Sequence, residues 1–115
     1  MAKHKDVLEA ERRIREAIEE GAKQLDFSML RGLTSLSDLD VDIADAASVT
    51  HLNLFDTPIT DLTPIAGMHG ITTLDLSGTQ ITDLTPIAGM HGITELNLNS
   101  TQITDLKPIA GMHGI

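Results

Sequence analysis

Residues 70–91 read Gly-Ile-Thr-Thr-Leu-Asp-Leu-Ser-Gly-Thr-Gln-Ile-Thr-Asp-Leu-Thr-Pro-Ile-Ala-Gly-Met-His, and this stretch recurs almost unchanged on both sides of itself. Residues 48–69 form the copy before it, and residues 92–113 form the copy after it. A period of 22 residues held this closely predicts a solenoid. In a solenoid each unit buries its apolar side against the next unit, so the repeat determines the expected architecture.

Each copy combines one short strand with one short outer turn. Leu74 and Leu76 alternate with polar residues, which predicts a strand that points its leucines inward. Thr85 followed by Pro86 predicts the start of a single helical turn, with the threonine at the cap, and Gly89 predicts its end. Stacked copies would form a parallel sheet. The remaining apolar positions close the coil over one interior: Ile81, Leu84, Ile87 and Met90.

The segment before the repeats predicts a helix over residues 6–20 that covers the first coil. Asp6 and Glu9 have the spacing of a capping box, and Gly21 stands where a helix C-terminal cap is expected. Helical spacing also predicts the surface ion pairs Glu9–Arg13 and Glu11–Arg15. The apolar residues that recur at steps of three and four, and so define the covering face, are Val7, Leu8, Ala10, Ile14, Ala17 and Ile18.

The first repeat is degenerate, and its return segment is longer than those of the later copies. From Ser37 onward, Leu39 and Ile43 indicate a short outer helix. The chain is therefore divided as a single domain into a capping helix (1–21), a degenerate repeat (22–47), three regular repeats (48–69, 70–91 and 92–113) and the start of a truncated repeat (114–115).

The pattern Leu-x-x-Leu-x-Leu-x-x-Thr-x-Ile-x-x-Leu resembles the leucine-rich repeat family, in its short 22-residue bacterial class seen in internalins. The resemblance implies an α/β leucine-rich repeat solenoid, with a short parallel sheet and irregular or 3₁₀ outer turns. It also implies that the concave strand face binds proteins or peptides. One departure is that Thr57, Thr79 and Thr101 stand where the family commonly has Asn.

The outward strand positions are the candidate binding face, because they are among the few positions at which the near-identical copies differ. Phe55 is the sharpest feature, since an aromatic side chain on an exposed sheet face can anchor a partner. An ordinary exposed apolar residue is the competing interpretation. The face comprises Gln24, Asp26 and Ser28 in the first repeat, and His51, Asn53, Phe55, Thr73, Asp75, Ser77, Glu95, Asn97 and Asn99 in the regular repeats.

Composition argues against several other functions. A net charge of −9 disfavours a nucleic-acid partner, and only two aromatic residues leave little platform for stacking bases or sugars. No apolar run is long enough to span a membrane, and no secretory signal precedes the helix, so a cytoplasmic location is expected. There is no cysteine and no arrangement typical of an active site, so we expect neither cofactor nor enzymatic activity.

Two columns of repeated polar residues could in principle bind metal. His69, His91 and His113 would stack along the solenoid, but no second column of ligands accompanies them, so a repeated surface residue is the favoured interpretation. The acidic column lacks the dense oxygen ligands that calcium needs, and its carboxylates are expected to bond the backbone of their own turns. This column consists of Asp61, Asp83 and Asp105.

The uniformity of the copies indicates recent duplication or, more strongly, a consensus-style engineered sequence, because cores tolerate more variation than is seen here. The last coil has no polar capping element after it, so we expect self-association through that end, most simply as a two-fold homodimer. The residues expected to be exposed there and to mediate self-association are Leu96, Leu98, Ile103, Leu106, Ile109, Met112 and Ile115.

Overall fold

The computed structural model describes residues 3–112, and within them it has one α-helix followed by four short parallel strands. The helix is α1 (Lys5–Glu20). The strands lie in chain order across one sheet, which confirms the predicted α/β solenoid. They are β1 (Gln24–Asp26), β2 (His51–Asn53), β3 (Thr73–Asp75) and β4 (Glu95–Asn97).

The sheet is in repeat register. Leu25, Leu52, Leu74 and Leu96 pair side by side, and all except Leu96 are buried. The leucines and isoleucines of each coil fill the space between the sheet and the return side, so the interior is a continuous aliphatic column. Phe27 lies in the same column and is fully buried. Strand alternation therefore divides inward leucines from outward polar residues, as the sequence predicts.

The return side of each coil contains a single 3₁₀ turn, as predicted. Proline opens the three regular turns, where its missing N–H has no helical partner to lose. The predicted threonine cap is wrong, however. Leu84 is the cap residue and makes no side-chain cap hydrogen bond, while Asp83 accepts hydrogen bonds from the backbone N–H and the hydroxyl of Thr85. The four turns are Ile43–Asp45, Thr63–Ile65, Thr85–Ile87 and Lys107–Ile109.

The long return segment of the first coil does not form the helix predicted from Ser37 onward. Only the turn at Ile43–Asp45 is helical, and Asp42 caps it by accepting from the N–H of Ala44 at 2.9 Å. Aspartate alternates with apolar residues through this segment, and short acidic side chains bond nearby backbone groups in place of helical bonds. The N–H of Asp40 is likewise taken by a side chain, that of Glu11.

Helix α1 begins one residue earlier than predicted and has a different cap. His4 is the cap residue, and its Nδ1 accepts from the N–H of Asp6 at 3.0 Å. The predicted capping box is wrong, because the Asp6 carboxylate instead accepts from the N–H of Gly32 in the first coil, at 2.8 Å. The prediction for Gly21 is confirmed, since it has φ of 62° and closes the helix through its N–H and the Ala17 carbonyl.

The buried stripe of α1 is narrower than predicted. Leu8 and Ile18 are exposed, at 53% and 42%, so the prediction that they cover the first coil is wrong. Glu11 is instead buried, at 1% exposure. Its carboxylate accepts from the Lys3 Nζ at 2.6 Å and from the Asp40 N–H at 2.8 Å, which satisfies a charge that burial would otherwise destabilise.

Burial of Glu11 changes the ion pairs on the helix. The predicted Glu11–Arg15 pair is wrong, because Arg15 binds Asp40, whereas the predicted Glu9–Arg13 pair is confirmed at 2.7 Å. The hydrogen bond from Lys3 to Glu11 raises the pKa of the lysine. The long first return segment thus approaches the helix, and Asp40 contacts Glu11 and Arg15 on it.

Candidate functional site

The outward side of the sheet, which we call the strand face, presents three rows of side chains that cross all four strands. The middle row is in direct register, as Asp26, Asn53, Asp75 and Asn97. The row at the strand starts consists of Gln24, His51, Thr73 and Glu95, and the row just past the strand ends consists of Ser28, Phe55, Ser77 and Asn99. All twelve belong to the predicted binding face, and the fold brings them onto one surface.

Most of this face is accessible, with one exception. His51, Phe55, Glu95, Asn97 and Asn99 are exposed, and Asn53, Thr73 and Asp75 are half-buried. Ser77 is only 6% exposed and its hydroxyl donates to Asp75, so the prediction that it contributes to a binding surface is wrong. A depression of about 240 Å³ lies over the first three strands, between their first two rows.

The residues of the middle row are held in fixed orientations. Each uses its Oδ1 to accept the backbone N–H of the residue two positions later, at 2.8 to 3.0 Å. Such Asx turns leave one polar side-chain atom of each residue outside the turn, namely Oδ2 on each aspartate and Nδ2 on each asparagine. Within residues 3–112 these four atoms make no hydrogen bond to protein, and they form a ladder of preoriented groups that a partner can reach.

Two residues with exposed apolar side chains have neighbouring backbones just past the strand ends of the strand face. Phe55 is 41% exposed and Met29 is 56% exposed. Met29 donates its N–H to the Phe55 carbonyl at 2.8 Å, so the two residues occupy neighbouring coils. Sequence reasoning singled out Phe55 but missed Met29. The sequence did contain a signal for Met29: it follows Ser28, which aligns with Phe55 of the next repeat.

Met29 also occupies a conformationally special position. It has φ of 64°, and the equivalent residues of the later coils, Asp56, Gly78 and Ser100, have φ of 58°, 71° and 59°. Each coil therefore leaves the strand through a left-handed residue, although one copy alone provides glycine. In the first two coils the turn is also joined across the repeat boundary, because Arg31 binds the Asp56 carboxylate.

The strand face carries negative charge. Asp26, Asp75 and Glu95 provide carboxylates, and no lysine or arginine belongs to the three rows. Arg13 reaches the margin of the face, where its guanidinium donates to the carbonyl of Asp26 at 2.5 Å. The guanidinium is therefore already engaged by the backbone and by Glu9. A partner that complements this surface would be cationic.

Among the described residues, one hydroxyl–imidazole pair lies beside the strand face, and it lacks the features of a catalytic site. Within residues 3–112, Thr50 Oγ1 lies 2.8 Å from His51 Nδ1. The same hydroxyl lies 3.2 Å from the Lys23 carbonyl, to which it donates, and no carboxylate is bonded to the other ring nitrogen. A base activating a hydroxyl needs that orienting group. The Thr50 hydroxyl therefore bonds the backbone of the preceding coil.

The repeated histidines and aspartates on the return side behave as ordinary surface residues. His69 and His91 are exposed, while His113 lies outside the described residues. Within residues 3–112, no group of three or more potential ligands is close enough to hold a metal ion. Asp61 and Asp83 have lowered pKa values, because the hydroxyls and N–H groups of Thr63 and Thr85 donate to them.

The fourth coil differs from the others in exposure. Leu96, Leu98, Ile103 and Ile109 are half-buried and Leu106 is 55% exposed, whereas their equivalents in the third coil are buried. Met112 is 5% exposed, so its predicted exposure is wrong. Like Met68 and Met90, it turns its flexible side chain into the aliphatic core. Ile115 lies outside the described residues.

Comparison with known proteins agrees with this geometry. A family model described as "Leucine Rich repeats (2 copies)" matches residues 47–89 and again residues 69–111. The chain belongs to the leucine-rich repeat family. Together the two matches cover residues 47–111, and the predicted family is confirmed. No curated protein sequence matches the chain.

Solved structures place this leucine-rich repeat protein beside the internalins. An internalin (inlF) from Listeria monocytogenes superposes with a TM-score of 0.71 at 20% identity, covering 91% of this chain and 33% of that one. An internalin C2 (inlC2) from the same organism gives 0.62 at 22% identity, covering 92% of this chain and 70% of that one. The chain thus spans about a third of the inlF structure, and the likeness establishes the fold.

The leucine-rich repeat fold also explains the three threonines at the family's usual asparagine position. The hydroxyls of Thr57, Thr79 and Thr101 donate to the carbonyls of Leu54, Leu76 and Leu98, at 2.7 to 2.8 Å. Each bond spans three residues of the same coil. Because a hydroxyl has one donor and a short reach, the threonines stabilise the turn after each strand and do not join adjacent coils.

Among the described residues, no helix has the combination of length and apolar character needed to cross a bilayer.

Proposed function

We propose that this chain is a non-catalytic module that binds a protein or peptide on its strand face. The observation that carries the proposal is the exposed Phe55–Met29 pair beside a row of preoriented polar side chains. Exposed aromatic residues next to fixed hydrogen-bonding groups are the usual composition of energetically important contacts. Membership of the leucine-rich repeat family supports the same function, since such repeats commonly bind proteins.

Selection of peptides from a random display library on the immobilised chain tests this proposal. We expect enriched peptides whose affinity falls about tenfold or more for Phe55→Ala, in the range of an interface anchor. Leu8→Ala is the matched control, because Leu8 is similarly exposed but lies on α1, and it should leave affinity unchanged. Failure to enrich any peptide, or peptides that bind Phe55→Ala as tightly as the parent chain, would overturn the proposal.

A second candidate function is self-association through the fourth coil, supported by the exposure of Leu106 and the half-exposed aliphatic side chains around it. A second copy applied about a two-fold axis would cover this surface and pair the free edge of β4. Sedimentation equilibrium of the 115-residue chain should then show a dimer at micromolar concentration. Leu106→Lys should shift it to monomer. A monomer for the parent chain at the same concentration would refute self-association.

We also propose a consensus-style origin for the repeats, supported by the near-identity of residues 48–69, 70–91 and 92–113. Interchangeable repeats predict that deletion of residues 70–91 leaves a folded, less stable protein, because residue 92 then follows residue 69 in the same register. Loss of the cooperative unfolding transition in that variant would argue against interchangeable units. The expected cytoplasmic location stays a prediction.

A further inference from the structure

The spacing of the free atoms on the middle row restricts what can bind there. Adjacent strands lie ~4.8 Å apart, and among the described residues Asn53 donates to neither neighbouring aspartate. The row therefore alternates acceptor and donor, and each kind of group recurs across two strands, every ~9.6 Å. Its members are Asp26 Oδ2, Asn53 Nδ2, Asp75 Oδ2 and Asn97 Nδ2.

This repeat matches one regular polypeptide conformation. A polyproline II helix rises ~3.1 Å per residue and has three residues per turn, so equivalent groups recur every ~9.3 Å on one side. An extended β-strand repeats every ~6.7 Å, and two turns of an α-helix cover ~10.8 Å. The repeats of a β-strand and of an α-helix therefore differ more from the ~9.6 Å repeat of the row than the repeat of a polyproline II segment does.

The chemistry of the row agrees with the same conformation. A polyproline II segment has no internal hydrogen bonds, and its carbonyl oxygens face outward, so Asn53 and Asn97 can donate to carbonyls three residues apart. Asp26 and Asp75 can then bind cationic side chains that are also three residues apart. Phe55 lies two residues beyond Asn53, just past the end of β2, where its ring can pack against proline or an arginine guanidinium.

We propose that the partner of the strand face is a basic polyproline II segment with Arg or Lys at every third position, lying across the four strands. This inference rests on the proposed binding function and names the chemistry of its partner. The three gaps between four strands span ~14 Å, which corresponds to about five residues of polyproline II. Two cationic side chains therefore fit the two aspartates, with the pair of intervening residues beside Phe55.

Fluorescence anisotropy with labelled peptides tests the spacing. The probe is three repeats of Arg-Pro-Pro. The control peptide has the same length and the same three arginines, but it spaces them two residues apart and has proline at every other position. A third peptide replaces each arginine of the probe with glutamate. We expect the probe to bind about five- to tenfold tighter than the two-residue-spaced control, and the acidic peptide to show no binding.

Charge-neutral variants locate the contact. Asp26→Asn with Asp75→Asn should weaken the probe about five- to tenfold, within the range for two exposed ion pairs. The substitutions preserve the fold, because Asn53 and Asn97 already form the same Asx turn at equivalent positions. The matched control is Asp61→Asn with Asp83→Asn, which removes the same charge from two Asx turns on the return side and should leave the affinity unchanged.

Three outcomes overturn the inference. They are equal affinities of the control peptide and the probe, equal effects of the two aspartate pairs, and display-selected peptides that lack basic residues at three-residue spacing. In the last case Phe55→Ala would still abolish binding of the selected peptides. The proposed function would then stand while the proposed partner chemistry fails.

Discussion

Leu84 and Leu106 occupy the same position in consecutive repeats but differ in their surroundings. Leu84 is 1% exposed, like Leu62 in the coil before it, whereas Leu106 is 55% exposed. Replacing each with alanine removes the same atoms from the same turn of the coil. Any difference in the free energy of unfolding therefore reports the environment of the side chain and not its chemistry.

The expected losses differ by a factor of two or more. Leu84→Ala removes a fully buried side chain and leaves an enclosed cavity, a combination that lowers the free energy of unfolding by about 2–5 kcal/mol. Full burial of leucine contributes about 1.5–3 kcal/mol, and less than half of Leu106 is buried. Leu106→Ala should therefore cost about 1 kcal/mol, without an enclosed cavity.

Urea unfolding followed by circular dichroism measures the difference. With a slope of about 1–3 kcal/mol per molar urea, the midpoint should fall by roughly 1 M or more for Leu84→Ala, and by less for Leu106→Ala. Equal losses at the lowest measurable protein concentration would refute the exposed position of Leu106. A penalty for Leu106→Ala that grows with protein concentration would indicate that a second copy covers this side chain.

Three further changes test other parts of the structure. Hydrogen bonds from Arg12 and Arg13 lower the pKa of Glu9 from 4.5 to about 2, so its contribution to stability is present above pH ~4.5 and is lost as pH falls towards 2. Glu9→Gln should flatten the dependence of the melting temperature on pH in that window, and an unchanged acid limb would contradict the assignment. Ser100→Gly should raise the free energy of unfolding by about 0.5–1 kcal/mol, because Ser100 has φ of 59°, while Gly78→Ala should lower it by about 1–2 kcal/mol. If urea unfolding shows that the two substitutions change the free energy of unfolding in opposite directions, the left-handed turn is confirmed. Changes in the same direction refute it. A methyl group at Gly32 would lie 2.1 Å from the His4 ring, so Gly32→Ala should displace that ring and cost about 1 kcal/mol through loss of the helix cap. The same substitution should cost little in a His4→Ala background, and additive losses would show that the two residues are independent.

The regular repeats could be predicted almost completely from the sequence. Alternation of Leu74 and Leu76 with polar residues specifies which side of the strand is buried, and the exact 22-residue spacing places the same residue types in register across the sheet. Pro86 and Gly89 bound the outer turn by local backbone preference alone. These features depend on near neighbours and on a repeated context, which is why a pattern can reveal them.

The candidate site was only partly predictable. The sequence placed the strand positions on one face because side chains alternate along a strand. It did not reveal that the Oδ1 atoms of Asp26 and Asn53 each accept a hydrogen bond in an Asx turn, or that Met29 lies exposed beside Phe55. Those facts depend on how the chain leaves each strand, which follows from the left-handed residue after it.

The N-terminal region shows what the tertiary structure alone decided. Helical periodicity predicted α1 and its cap at Gly21, because both follow from local spacing and glycine's backbone freedom. Periodicity assigned Glu11 to the surface, yet the long first return segment packs over it and supplies the Asp40 N–H. Which side of a marginally amphipathic helix is buried depends on the segment that reaches it. The sequence by itself therefore determined the repeat, the register and the residues of the strand face, and long-range packing determined the helix contacts and the orientation of the polar ladder.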